Sequence, residues 1–302
     1  MKILFLSHTY KTAHDVLTRG IIEVLTRNNH CVDCEPQESV SYDCVFVFNR
    51  RALENYDVML REKQLPVIYF FCLSDITREY IVTDIMSLTL MFKDKILNIG
   101  NFPYRILYQD MIFPSYISKS APHNYNERPL IYIRIENDYL GELTFLKLLP
   151  LLNQMDNYLI HYQSEHSGLQ HLITNPCVEI INSKQNIREE INKADIVIGS
   201  GMIAAFSVQQ EKKIIVVGER GYGGLVTNEN LKYHISNCFQ GRNGGKLDEA
   251  IPIQLVLKAI EAENSDTKET AKQLSVMQAQ NEDKFIQRIE KMASLASRNR
   301  RF

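Results

Sequence analysis

Several things are missing from this sequence, and each absence excludes something. No apolar run approaches the ~18 residues that a membrane-crossing helix requires, so no transmembrane segment is expected. Charge of one sign is not in excess: 34 Lys and Arg stand against 36 Asp and Glu, a formal net charge of -2. Such a chain has no global field to attract nucleic acid, and none is expected as a partner. Cysteine is sparse, with 6 residues and no zinc-type spacing. Cys31 and Cys34 form a C-x-x-C inside a strand-like stretch, not at a strand-to-helix turn, and are read as small reduced thiols. His161, His166 and His171 fall on different expected elements, so no metal centre is expected. Short-period repeats are absent. The opening Met1 to His8 is too short for a signal-peptide apolar region and reads as a first strand, which makes the cytoplasm the expected location.

What is present is a globular composition, 45% hydrophobic and 23% charged over 302 residues, enough for two domains. Lys2 to Leu6 is an apolar run of the kind buried on both faces of a sheet, ended by the turn Ser7 to Thr12. Helical spacing follows from Ala13 to Asn28 through Val16, Leu17, Ile21, Ile22, Val24 and Leu25. Strands are expected at His30 to Cys34, Cys44 to Phe48 and Pro66 to Cys72, with a helix from Arg51 to Arg61. Asp75 to Asp84 suits another helix, and Leu88 to Phe92, Lys95 to Ile99 and Ile106 to Phe113 read as short strands. The alternation implies a parallel, Rossmann-like sheet.

The chain turns polar from Ser115 to Pro129 and carries Pro114, Pro122 and Pro129, the expected hinge. A second α/β pattern begins at Leu130. It has strands at Leu130 to Ile135, Tyr158 to Tyr162 and Val178 to Ile181, and helices at Gly141 to Met155, His166 to Thr174 and Ile187 to Lys193. The stretch from Ala194 to Leu231 then gives a strand at Ile196 to Ile198, a Gly turn, a helix, a strand at Lys213 to Val217 and a second Gly-rich turn. In open α/β sheets ligands bind outside the carboxyl ends of the strands, so both Gly turns are expected to line one crevice. Helices at Ile251 to Ala262 and Asp266 to Ser297 follow, the latter with Leu274, Met277, Phe285, Ile289, Met292 and Leu295 along one side. The terminal Arg298 to Arg301 cluster reads as a solvated tail. The expected organisation is an N-terminal domain over 1–115, a hinge over 116–129, a C-terminal domain over 130–265 and a long helix over 266–302.

Two Rossmann-like patterns, a proline-bearing hinge and a long terminal helix resemble the GT-B glycosyltransferases. The local order Gly199-Ser200-Gly201-Met202, Ala204 to Gln210, Lys213 to Gly218 and Gly221-Tyr222-Gly223-Gly224 is similar to that of the group 1 (family 4 type) enzymes, and Ile133-Arg134 resembles their Gly-Arg. The resemblance implies an α/β fold of two Rossmann-like domains facing across a cleft. It also implies a nucleotide-sugar donor on the C-terminal domain, an acceptor approaching from the N-terminal domain, and a last helix that crosses back. The departures are specific. The family's two acidic positions fall at Ile198 and Phe206, its diphosphate lysine falls near Leu140, and its Gly-rich first loop reads Ser7-His8-Thr9-Tyr10. The acidic donor motif is thus degenerate. The expected function is transfer of a sugar from a nucleotide sugar to an unidentified acceptor. The alternative is a GT-B-like module that binds or stabilises a partner without transferase activity. A sugar-nucleotide epimerase is a weaker third reading.

Glycosyl transfer builds negative charge on a leaving diphosphate, which calls for cations or backbone N–H groups. Arg134 is the first candidate, because a guanidinium grips phosphate bidentately. Gly199, Ser200, Gly201 and Met202 form the turn where backbone can approach a ligand. In Glu219-Arg220-Gly221-Tyr222-Gly223-Gly224, Glu219 suits ribose or sugar hydroxyls, Arg220 phosphate and Tyr222 a base; Thr227 reads as a helix cap. Asn243-Gly244-Gly245-Lys246 reads as a plain surface turn. On the acceptor side His8, His14 and Asp75 are the candidates for the base. No cofactor beyond the nucleotide-sugar co-substrate is expected, and a second copy or a partner protein is compatible with the sequence.

Overall fold

A computed structural model describes residues 1–6, 21–47, 67–69, 128–134, 139–163, 168–181, 186–237, 239–246, 248–263 and 266–299. The expected elements between residues 48 and 66 and between residues 70 and 127 lie outside them. The chain divides into two compact units, one of residues 1–114 with 277–302 and the other of residues 115–276.

In the first unit, strands β1 (Lys2–Leu6), β2 (Cys31–Asp33), β3 (Cys44–Val47) and β4 (Val67–Tyr69) form a four-stranded sheet in the order β2-β1-β3-β4, every pair parallel. Parallel pairing needs both faces covered, and Ile3, Leu4, Phe5 and Leu6 are all at most 1% exposed. Phe5 and Phe46 are register partners on β1 and β3, and their rings stack with centroids 5.0 Å apart. Residues 21–27 are helical. Cys31 and Cys34 are free, and burial pushes the Cys34 thiol up, which keeps it protonated and unreactive.

The second unit holds β5 (Leu130–Arg134), α1 (Tyr139–Leu152), β6 (Leu159–Gln163), a short 3-10 turn (Gln170–Leu172), β7 (Val178–Ile181) and α2 (Ile187–Lys193). These are followed by β8 (Ile196–Gly199), α3 (Gly201–Gln209), β9 (Lys213–Gly218), β10 (Gly221–Leu225), α4 (Leu231–Ser236) and α5 (Ile253–Glu261). The six-stranded sheet runs β10-β9-β8-β5-β6-β7, parallel except for β10 on β9. Chain order reverses between β5 and β8, so the topological switch point lies at the carboxyl ends of those two strands. One face of the sheet is closed by α1 and α5, through Phe145, Leu148, Leu151, Leu152, Val256, Ala259 and Ile260 against Ile131, Ile133, Ile160, Ile198, Ile215 and Val217. A Leu or Phe fully buried there contributes about 1.5–3 kcal/mol.

Of the helix expected over His166 to Thr174, the described residues 168–174 form only the 3-10 turn: Ile173 is extended, and Asn153 Oδ1 accepts from Thr174 N–H at 2.9 Å. Leu146 on α1 is 42% exposed. Helix α6 (Thr267–Asn299) begins in the second unit and continues into the first. Leu274, Phe285, Ile286 and Ile289 are buried along it. In the first unit the Phe285 ring meets Phe46 edge-on at 6.4 Å, and Arg27 grips both oxygens of Glu282 at 2.6 Å. Among the described residues no helix is long and apolar enough to cross a membrane.

Candidate functional site

The switch point is built from two strand ends. Arg134 closes β5 and is the lateral neighbour of Gln163 at the end of β6. It is 6% exposed, and its Nη1 donates to Gln163 Oε1 at 2.9 Å. The Tyr132 hydroxyl donates to the same oxygen. Burial pushes the Tyr132 phenol up, so it stays a neutral donor. On the other side of β5, β8 ends in Gly199. A Cβ there would lie 3.1 Å from the Arg134 carbonyl and 3.3 Å from Ile203 Cγ2, so glycine lets β8 turn into α3 against its neighbour strand. Gly201 turns the chain with φ +56°, a left-handed conformation that glycine adopts without cost. Ser200, as N-cap, makes no side-chain capping bond. Met202 continues the first turn of α3.

The first helical N–H at this turn is already occupied, since Gly201 donates to the Phe239 carbonyl at 3.1 Å. The segment from Phe239 to Gly245 lies over the carboxyl edge. Arg220 N–H donates to Gln240 O at 3.1 Å, Arg242 N–H to Arg220 O at 3.1 Å, and Asp248 N–H to Glu219 O at 2.8 Å. Backbone touches backbone there: a Cβ on Gly223 would sit 2.6 Å from Gly241 O, and one on Gly245 2.6 Å from Arg220 O.

The Gly-rich turn expected at Glu219 to Gly224 is for the most part a strand. Residues Gly221–Leu225 form a strand antiparallel to β9, with Tyr222 opposite Val217 and an irregularity before Gly224. Gly221 has φ +80° and Gly224 φ +96°, and the glycines answer to the hairpin and to the segment packed on it. Tyr222 packs against the apolar core and its hydroxyl donates to Leu255 O at 3.1 Å. Glu219 and Arg220 remain at the hairpin turn, on the carboxyl edge beside Gly218, where a Cβ would lie 2.9 Å from Ser200 Cβ.

Thr227 is not a helix cap. Helix α4 begins at Leu231 with Asn230 as N-cap, and Asn230 Oδ1 accepts from Thr227 N–H at 2.8 Å. Val226 N–H donates to Ile214 O, near the start of β9, so Thr227 lies toward the amino edge, away from Arg134. The turn at Asn243 to Lys246 is only half a surface turn: Gly244 has open space around it, while Gly245 is buried. The structure therefore brings Arg134, Gly199, Ser200, Gly201, Glu219, Arg220 and Gly221 to one edge, keeps Gly223 against the segment that lies over it, and carries Thr227 away from it. His8, His14 and Asp75 lie outside the described residues, as does Ile135, the expected last residue of the first strand in this unit.

The residues that sequence reasoning passed over are Tyr132, Gln163, His234 and Phe239. A polar Gln closing a buried strand beside Arg134 was the available signal for the second. His234 is 1% exposed, its ring stacks on Phe239 at 5.8 Å, and neither ring nitrogen has a hydrogen-bond partner among the described residues. Burial pushes its pKa down to about 4. A separate polar cluster joins His161 Nδ1 to Glu190 Oε2 at 2.7 Å and Lys193 Nζ to Glu190 Oε1 at 2.7 Å, with the Glu190 side chain fully buried. His171 Nδ1 bonds Gly168 O within its own turn.

No family model matches the chain, and no curated protein matches it in sequence. Solved structures do. The glycosyltransferase SnogD from Streptomyces nogalater superposes with a TM-score of 0.50 at 9% identity, covering 97% of this chain and 99% of its own. The UDP-GlcNAc 2-epimerase from Neisseria meningitidis, bound to UDP-GlcNAc, gives a TM-score of 0.49 at 11% identity over 96% of this chain and 100% of its own. At such identity the likeness to SnogD concerns the fold: this chain has an α/β fold of the GT-B type, with two Rossmann-like sheets that are parallel apart from β10.

Proposed function

We propose that this protein transfers a sugar from a nucleotide-sugar donor to an acceptor, with the donor diphosphate held at the carboxyl edge of the second sheet. The observation that carries the reading is Arg134, a buried guanidinium fixed by Gln163 at the switch point, next to the Gly199 turn. Ligands of open α/β sheets sit at that place, and a cation in a site of low dielectric meets anionic charge strongly. The fold shared with a glycosyltransferase supports it. Glu219 and Arg220 at the hairpin turn are the next candidate donor contacts. In the reaction the acceptor oxygen bonds to the anomeric carbon, its proton passes to a base, and the nucleoside diphosphate leaves with the bonding electron pair. His8, His14 and Asp75 are the proposed bases. We place the reaction in the cytoplasm and assign the leaving charge to Arg134 and backbone N–H groups without a metal, so added chelator is expected to leave transfer unchanged.

Calorimetric titration of the folded chain with UDP, GDP and dTDP tests the reading. Saturable binding of one of them, lost in Arg134→Gln, is expected; a folded protein that binds none overturns it. A second reading, a binding module without transferase activity, is favoured by Ile198 and Phe206, buried apolar side chains where the resembling enzymes carry acids. Sugar transfer by the isolated chain would end that second reading.

A further inference from the structure

The two faces of the sheet differ in kind at β5 and β6. Ile131, Ile133, Ile160 and Tyr162 enter the apolar core. The alternate positions Tyr132, Arg134, His161 and Gln163 place polar side chains on the opposite face, as the register pairs Tyr132 with His161 and Arg134 with Gln163. Tyr132 and Gln163 are 0% exposed and Arg134 is 6% exposed. Central parallel strands are ordinarily apolar on both faces. A buried polar group there is costly unless hydrogen-bonded, and local departures of this kind concentrate at functional sites.

The three buried groups are joined at one atom. Gln163 Oε1 accepts from the Tyr132 hydroxyl and from Arg134 Nη1. The guanidinium is donor-only and therefore takes the oxygen end of the amide, and the Tyr132 hydroxyl, donating to the same oxygen, holds Gln163 in that orientation. An amide also differs from a carboxylate of the same shape: it orients Arg134 and adds no negative charge beside it.

We infer that Gln163 and Tyr132 are positioning residues of an anion site at Arg134, and that an amide at 163 orients the guanidinium toward a diphosphate without itself adding negative charge beside it. The inference rests on the donor-diphosphate reading above. The probe is inorganic pyrophosphate, titrated calorimetrically into the full chain near pH 8, for the wild type and for Gln163→Glu, Tyr132→Phe and Arg134→Gln. Gln163→Glu is expected to weaken binding about tenfold or more and to flatten its dependence on salt, since it adds a negative charge beside Arg134. A purely structural defect would leave that salt dependence unchanged. Tyr132→Phe removes a single oxygen, keeps the ring, and is expected to weaken binding several-fold with the melting temperature nearly unmoved. Wild-type-like titration of both variants, with binding lost in Arg134→Gln, overturns the inference and leaves the diphosphate reading standing. No pyrophosphate or nucleoside diphosphate binding by the wild type overturns both.

Discussion

The backbone N–H of Gly201 donates to the carbonyl of Phe239 at 3.1 Å, so the turn at the switch point is capped by a segment that follows it in the chain by a strand hairpin and a helix. The same segment then lies along the hairpin at Gly221 and Gly223, where the chains approach too closely for any side chain between them. Close backbone approach is what these glycines supply.

Gly241→Ala is therefore expected to be strongly destabilising. Gly241 has φ +112°, and a Cβ on it would stand 2.6 Å from Gly221 O and 2.8 Å from the Arg220 carbonyl carbon. Backbone cannot rotate away as a side chain can, and the cost is expected at about 3 kcal/mol or more. Gly244→Ala is the control, with φ +69° and nothing within 4 Å of its Cβ, and is expected to lose only about 1 kcal/mol. Urea denaturation of the two variants measures the difference; equal losses would show that the Gly241 contact is not tight.

His234 makes stability depend on pH with a definite sign. Burial holds its folded-state pKa at about 4, below the value of 6.5 for a free histidine. Between those values the unfolded chain binds the proton and the folded chain does not, so stability rises with pH. The contribution is complete above about pH 6.5 and is lost as pH falls toward 4, for a total of about 3 kcal/mol. Glu190 and other carboxylates held below their ordinary range add acid sensitivity of their own. The comparison with His234→Phe isolates the histidine: the variant is expected to lose less stability between pH 7 and 4. Parallel curves for the two proteins would contradict this.

Asn230, not Thr227, organises the turn before α4. Its Oδ1 accepts from Thr227 N–H at 2.8 Å and its Nδ2 donates to Leu225 O at 2.9 Å, closing the chain between β10 and the helix. Asn230→Ala is expected to cost about 1–2 kcal/mol by removing both bonds. Thr227→Ala is expected to stay within about 0.5 kcal/mol, since no cap is lost. Thermal or urea melts of the pair decide it, and a reversed order would restore Thr227 as the cap.

The fold was legible wherever side-chain period carried it. Ile187–Lys193 lies where expected, and the β8 and β9 runs differ from expectation by a single terminal glycine, because apolar β-branched runs bounded by turns leave little choice. Strand β10 was not legible. A run of Gly-Tyr-Gly-Gly-Leu has almost no side-chain pattern, and what makes it a strand is backbone pairing to β9 and close contact with a segment some twenty residues later. Glycine signals close approach equally well for a ligand and for the chain itself, and here it is the chain. The buried pairing of Arg134 with Gln163 was half legible: the arginine stood at a strand end, but its partner is set by the β5 to β6 register, which no local pattern reveals.

Ile198 illustrates the same limit on the side of activity. The resembling enzymes carry an acid at this position, which suggests that a carboxylate restored at 198 would strengthen donor binding. The structure argues otherwise. Ile198 is 0% exposed and belongs to the apolar cluster with Ile133, Ile196, Ile215 and Val217, beneath α1 and α5. An ionised carboxylate among them has no water and no cation in that cluster, and Ile198→Glu is expected to cost more than about 3 kcal/mol. Its pKa is expected to rise so that the group folds neutral, which makes the variant least unstable at low pH, the reverse of the wild type. Urea titrations at pH 5 and pH 8 measure both expectations. A folded Ile198→Glu protein with unchanged stability and tighter nucleoside diphosphate binding would show that position 198 faces the ligand after all.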